Sequence, residues 1–186
     1  YGFELSEKLG TPVMVRVTTR LAHSRAGVEM RDAVGENELK LPADKRQFVL
    51  LPSIARRNYQ TLLDKQSAFE EDSEQSPFNA YIDADDKSLG IIACGIGYNY
   101  LMENYPDGCP HPIVKIAQYP APRKMIQKLL DECDRVLILE EGAPFLEEQV
   151  RGLLDVSFKI NGRMDGTVPR AGELNPNIVA KSLGKD

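Results

Sequence analysis

From residue 87 onward the sequence alternates between short apolar runs and longer segments of helical period, and this alternation limits the fold more than any other feature. "GIIAC" leads to a helix expected around 97–105. "PIVKIAQ" leads through Pro120 and Pro122 to "RKMIQKLLDECD", and "RVLILEEG" leads through Pro144 to "FLEEQVRGLL". "VSFKING" closes the series. Met125, Ile126, Leu129, Leu130 and Cys133 share one helical face; Leu146, Val150, Leu153 and Leu154 share another. Strands and helices in alternation imply parallel strands joined by right-handed crossovers. The unbroken apolar run "VLIL" suits a strand covered on both sides. Pro122 and Pro144 sit where a first helical turn tolerates a missing N–H. The expected fold is α/β, a three-layer α/β/α arrangement with a mostly parallel sheet, plus an N-terminal strand and helix segment.

The earlier part of the chain reads differently. Residues 3–9 have the rhythm of a helix, closed by Gly10. "PVMVRVTT" alternates apolar and polar side chains, as a half-buried strand does. The basic stretch "RLAHSRAGVEMR" follows, and residues 32–52 look irregular. A helix is expected over "SIARRNYQTLLDKQSAFEE", with Ser53 as N-cap. Its apolar stripe is Ala55, Tyr59, Leu62, Gln66 and Phe69, with Leu63 alongside. The acidic, turn-rich residues 70–86 read as a linker, and the tail from Arg163 as turn-rich.

Composition sets outer bounds. With 186 residues, 42% hydrophobic and 27% charged, the chain can build one α/β core and extra segments. A net charge of -5 gives no global field for nucleic acid. No apolar run reaches the ~18 residues of a membrane helix. The opening "YGFELSEKLG" is already helical in rhythm and lacks Met, so it reads as the cut edge of a longer polypeptide without a signal peptide. Cys94, Cys109 and Cys133 show no CxxC spacing, which fits a reduced, cytoplasmic setting. His23 and His111 have no paired ligand at helical spacing, so a zinc site is not expected.

Three stretches carry candidate chemistry. In "LGIIACGIGYNY", Gly95 and Gly97 fill two places of a dinucleotide fingerprint, but Tyr100 stands in the third, where its ring would push the helix off the sheet. No acidic residue for a ribose ends the second strand, and no Gly-Lys-Ser/Thr occurs. The structural reading, a strand turning tightly into its helix, is therefore favoured, with weak anion binding at the helix start left open. Glu140 and Glu141 end a strand at the edge where such sheets place ligands. They could do acid–base work, but without a nearby nucleophile they read better as anions beside the positive end of the next helix, or as subunit-contact residues. Arg16, Thr18, Thr19, Arg20 and His23 could grip a carboxylate or phosphate and move a proton, or could form a solvated or interface loop. Cys94 and Cys133 read as small buried hydrophobes and Cys109 as the more exposed thiol.

Taken together, "FELSEKLGTPVMVRVTTRLAHSR", "GIIACGIGYNYLMEN", "RVLILEEGAPFLEEQVR" and "GELNP" resemble the alpha subunit of the indolepyruvate ferredoxin oxidoreductases, thiamine-diphosphate 2-oxoacid oxidoreductases. The likeness runs from about residue 1 to 176. It implies oxidative decarboxylation of an aryl pyruvate to an acyl-coenzyme A, with electrons passing to ferredoxin. Thiamine diphosphate, magnesium and iron–sulfur clusters would serve the complete enzyme, with none bound by this stretch. Implied partners are the missing domains of the same chain, a beta subunit, ferredoxin and coenzyme A, with homo-oligomeric contacts and neither nucleic acid nor membrane. The resemblance divides the chain into the end of a thiamine pyrimidine-type domain (1–35), a connecting segment with one helix (36–86), a transketolase-C-like α/β domain (87–165) and a tail towards a missing C-terminal domain (166–186). It makes Arg16, Thr18, Thr19, Arg20 and His23 a grip on substrate or coenzyme A, or a domain contact. It makes Gly95 and Gly97 a coenzyme-A-proximal turn, and Glu140 and Glu141 residues of a domain or subunit contact. The alternatives are a free-standing nucleotide- or coenzyme-A-binding regulatory module and a purely structural interaction domain.

Overall fold

The computed structural model describes the chain except residues 37, 155–159, 170–172 and 186, and its contacts divide it into two compact units, residues 1–63 and 64–186.

The first unit is sparse in core. Helix α1 (Gly2–Leu9) ends where Gly10 turns left-handed at φ 56°, as the sequence leads one to expect. The expected strand over "PVMVRVTT" does not form: residues 12–17 belong to no helix or strand and have no ladder partner among the described residues. Alternation supplies a candidate strand, but only a hydrogen-bonded neighbour makes one. Thr19–His23 form a short helix, α2. Helix α3 (Pro52–Asp64) starts one residue before the expected cap, so Ser53 lies inside the first turn behind a proline that presets φ. The single helix expected from Ser53 breaks at Lys65, and a separate helix follows. Leu5 is the one buried residue of this unit among those described, and α3 buries none of its apolar stripe.

The second unit is the α/β body. It opens with α4 (Gln66–Glu74) and β1 (Ala80–Ile82), so residues 70–86 are not a bare linker: they carry half a helix and a strand of the sheet. The remaining elements are β2 (Gly90–Cys94), α5 (Ile96–Glu103), β3 (Ile113–Ile116), α6 (Arg123–Glu132), β4 (Val136–Leu139), α7 (Phe145–Leu154), β5 (Ile160–Asn161) and α8 (Pro176–Ser182). Of the expected strand "VSFKING", residues 156–159 lie outside those described. Pro122 is the residue before α6 and Pro144 the one before α7, a step earlier than expected.

The five strands form one sheet in the order β1-β3-β2-β4-β5. Among the described residues only β1 is antiparallel; it pairs with β3, Tyr81 opposite Val114. The others run parallel, with Ile92 of β2 beside Val114 on one side and Ile138 on the other. Because successive strand residues point to opposite faces, each strand feeds two cores. Ile92, Cys94, Val114, Ile116 and Ile138 pack with Ile126, Leu129 and Leu146 of α6 and α7. Ile91, Ala93, Ile113, Leu137 and Leu139 pack with Leu101 of α5 and Val179 of α8. Three layers result, and α8, inside the stretch expected to be only a turn-rich tail, completes one of them. Its start follows from sequence chemistry: Asn175 accepts the Ile178 N–H at 3.0 Å and Pro176 takes the first turn.

Candidate functional site

The chain runs from β2 out to β3 on one side and then returns past β2 to β4 on the other. The carboxyl ends of β2 and β4 therefore flank the point where a parallel sheet opens a crevice. Gly95 closes the end of β2 with φ 52° and ψ -124°, a region suited to glycine, and donates its N–H to Ile116 at 2.9 Å. It is exposed, and a Cβ placed there would meet no atom within 4 Å. Gly97 is the opposite case. It is buried, and a Cβ there would meet the Leu139 carbonyl oxygen at 2.8 Å. Helix α5 can lie this close to β4 only without a side chain at 97. Tyr100 does not push the helix away; it is 5% exposed and joins the apolar layer of Leu101 and Val179.

At the end of β4, Glu140 is buried and faces the start of α7. Its Oε2 accepts the Leu146 N–H at 2.8 Å and its Oε1 the Glu147 N–H at 3.1 Å. Burial raises its pKa, outweighing these N–H groups, which favour the anion; the neighbouring Glu147 adds to the rise. The reading of this glutamate as a helix-end anion is what the geometry shows. Glu147 itself is fully buried, accepts the Met164 N–H and pairs with Arg151 at 3.1 Å. Arg163, 3% exposed, donates Nε to the Glu140 carbonyl at 3.0 Å and a guanidinium N–H to the Pro169 carbonyl at 2.8 Å. Sequence reasoning missed Glu147 and Arg163 because nothing local marks a charge as buried.

A second polar cluster, at the end of β3, was also missed. Asn79 accepts the N–H groups of Ala117 and Gln118 at 2.8 and 2.9 Å and donates to the Gln118 and Ser73 carbonyls. Ser73 donates to the Pro120 carbonyl, and Ser76 to the Gln118 side chain at 2.7 Å. These side chains tie α4 and β1 to the loop after β3. Beyond that loop, Tyr119 (46% exposed) meets Phe145 (54% exposed) edge-on, with ring centroids 6.0 Å apart and planes at 67°.

The Arg16–His23 segment lies in the other compact unit. Arg16 is exposed ahead of α2, and Thr18 caps that helix, accepting the Leu21 N–H at 3.3 Å. Thr19, Arg20 and His23 are exposed on its single turn, at spacings that put them on one side. Of the three thiols, Cys94 and Cys133 are buried as expected and Cys109 is half-buried. Burial drives the Cys94 thiol up to about 12.

Among the described residues no three His, Cys, Asp or Glu side chains gather for a metal ion. Among the described residues no helix is long and apolar enough to cross a membrane.

Fold and site define a class: a three-layer α/β domain whose carboxyl edge is held by a glycine close-approach and buried carboxylate caps, not by a phosphate loop. Sequence comparison gives the particular relatives. The chain aligns over 98% of its length, at 32% identity, with indolepyruvate oxidoreductase subunit IorA of Methanothermobacter thermautotrophicus, and at 34% with the subunit of the same name from Archaeoglobus fulgidus. It aligns over 100% of its length, at 32% identity, with that of Pyrococcus horikoshii. The chain is thus a sequence relative, end to end, of the indolepyruvate oxidoreductase IorA family, the family its four blocks resemble. It spans only 30–31% of the length of these relatives. No family model matches it. No solved structure matches it.

Proposed function

We propose that the chain is a stretch of the alpha subunit of an indolepyruvate ferredoxin oxidoreductase and serves that enzyme as a non-catalytic, domain-bracing part. The observation that carries this reading is the alignment of nearly every residue with IorA subunits about three times as long. The whole enzyme would oxidatively decarboxylate an aryl pyruvate to an acyl-coenzyme A and deliver electrons to ferredoxin in the cytoplasm. Thiamine diphosphate, magnesium and iron–sulfur clusters would serve the complete enzyme and be held outside this stretch. The α/β unit would be the transketolase-C-like domain, and residues 1–35 the end of a thiamine pyrimidine-type domain. Buried ties at Glu140, Glu147 and Arg163 suit a rigid brace better than a reaction centre, because each polar group is already engaged.

Within that reading, Arg16, Thr18, Thr19, Arg20 and His23 form a grip on substrate or coenzyme A, and the exposed Gly95 lies on the coenzyme A approach while Gly97 holds the turn. The test is expression of the complete polypeptide with its partner subunit and assay of indolepyruvate-dependent ferredoxin reduction in the presence of coenzyme A. Arg20→Ala should raise the KM for indolepyruvate or coenzyme A; unchanged constants for both remove Arg20 from the grip. Residues 1–186 alone should show no turnover and no micromolar binding of thiamine diphosphate with magnesium by calorimetry. Either one would overturn the bracing role.

A further inference from the structure

The end of β5 runs into a turn through the dipeptide Asn161-Gly162. Packing demands the glycine: it is buried, and a Cβ there would collide with the carboxylate of the buried Glu147. Asn161 is thereby followed by the one residue type whose backbone nitrogen no side chain shields. Asparagine is thermolabile, and an asparagine before glycine can lose its amide without an enzyme. The Gly162 nitrogen attacks Asn161 Cγ and forms a new N–C bond. The Cγ–Nδ2 bond breaks, and ammonia leaves with the proton of the Gly162 N–H. Water then opens the cyclic imide, and position 161 becomes aspartate or isoaspartate. Water is the only co-reactant, and nothing is oxidised or reduced.

In the closed turn one carboxylate occupies both reacting groups. Asp165 Oδ2 accepts the Asn161 side-chain N–H at 2.6 Å, and Oδ1 accepts the Gly162 N–H at 2.9 Å. Oδ1 also accepts the Thr167 N–H at 3.1 Å, and Val168 donates its N–H to the Gly162 carbonyl at 3.0 Å. The Gly162 nitrogen is thus held by Asp165 on one side and packed against Glu147 on the other. We propose that Asn161 is a site of spontaneous deamidation that Asp165 keeps closed in the folded chain and that local opening of the 161–168 turn exposes. The conversion works against reclosure. A carboxylate at position 161 stands where an amide now donates to Asp165, so an attraction becomes a contact between like charges. The same turn carries Arg163, whose N–H groups join the carbonyls of Glu140 and Pro169. A converted chain therefore loosens the tie at the end of β4.

The test incubates the complete polypeptide at mildly alkaline pH, folded and in urea, and follows the peptide containing Asn161 by mass spectrometry and isoaspartate assay. The unfolded chain should convert at position 161 while the folded chain keeps its amide over the same interval. Folded Asp165→Ala should convert about tenfold faster than the folded parent, the factor expected on losing a charge-assisted hydrogen bond. No conversion in urea, or equal rates folded and unfolded, overturns the site; an Asp165→Ala rate equal to the parent's overturns the role of Asp165. As an independent readout that serves even if Asp165→Ala fails to fold, Asn161→Asp should speed amide exchange at Gly162 and Val168 by about tenfold, again the loss of one charge-assisted hydrogen bond. Unchanged exchange there overturns the barrier to reclosure. None of these readouts depends on turnover, so an inactive enzyme would defeat the proposed activity and leave this site standing.

Discussion

The α-carbon of Gly97 lies so close to β4 that a single added methyl group would sit 2.8 Å from the carbonyl oxygen of Leu139. That contact fixes how near α5 stands to the sheet, and it separates the two glycines of one short motif. Gly97→Val should therefore destabilise the fold by roughly 1–3 kcal/mol, as forced overpacking does, through displacement of α5. Gly95→Ala should cost about 1–2 kcal/mol by backbone strain alone, since its φ is 52° and no atom crowds it. Urea unfolding of both variants checks this; a Gly97→Val protein as stable as the parent would show that the turn has room.

Asn79 makes the second testable tie. It holds the amides of Ala117 and Gln118 and two carbonyls, and it is 6% exposed. Asn79→Ala leaves these groups buried without their partner, at a cost of about 2–4 kcal/mol. The amides of Ala117 and Gln118 should then exchange faster than those of Ile91 and Ile92 in β2. Equal protection at all four would count against the tie.

Acid stability should depend on Asp165. Burial pushes its pKa up, but the Gly162 and Thr167 N–H groups and the Asn161 side chain more than offset this and hold it at about 2, against an ordinary 3.8. A depressed carboxylate stabilises the fold above its unfolded pKa, and that contribution is lost as the pH falls from 3.8 through about 2. Asp165→Asn should flatten the stability profile in this window, as read by thermal melts at stepped pH.

Glu140 should act in the other direction. Its folded pKa is raised above the ordinary 4.5, so its contribution is full below that value and declines as the pH rises through the raised pKa. The parent protein should lose stability relative to Glu140→Gln as the pH climbs above 4.5. A difference that does not change with pH would mean that the caps from Leu146 and Glu147 cancel the burial.

Thiol chemistry offers a simple check on packing. Cys94 and Cys133 are buried and Cys109 is partly open, with burial raising the pKa of all three. Ellman's reagent at mildly alkaline pH should label Cys109 first and the other two only on unfolding. Cys109→Ser should remove that first phase; its persistence would place another thiol at the surface.

The sequence by itself determined the α/β class, the strands from Gly90 to Leu139 and the helices that alternate with them. Apolar period and turn residues are local signals, and every such strand here has neighbours to pair with. The same alternation at Val13, Val15 and Val17 predicted a strand that did not form, because a strand also needs a partner ladder that its own residues cannot encode. Tertiary structure alone decided that residues 70–86 join the sheet, that Glu147 and Arg163 become buried, and that Gly97 rather than Gly95 bears the close approach. Each of these depends on which groups distant in sequence arrive within a few ångströms, and burial of a charge or crowding at a glycine exists only after they do.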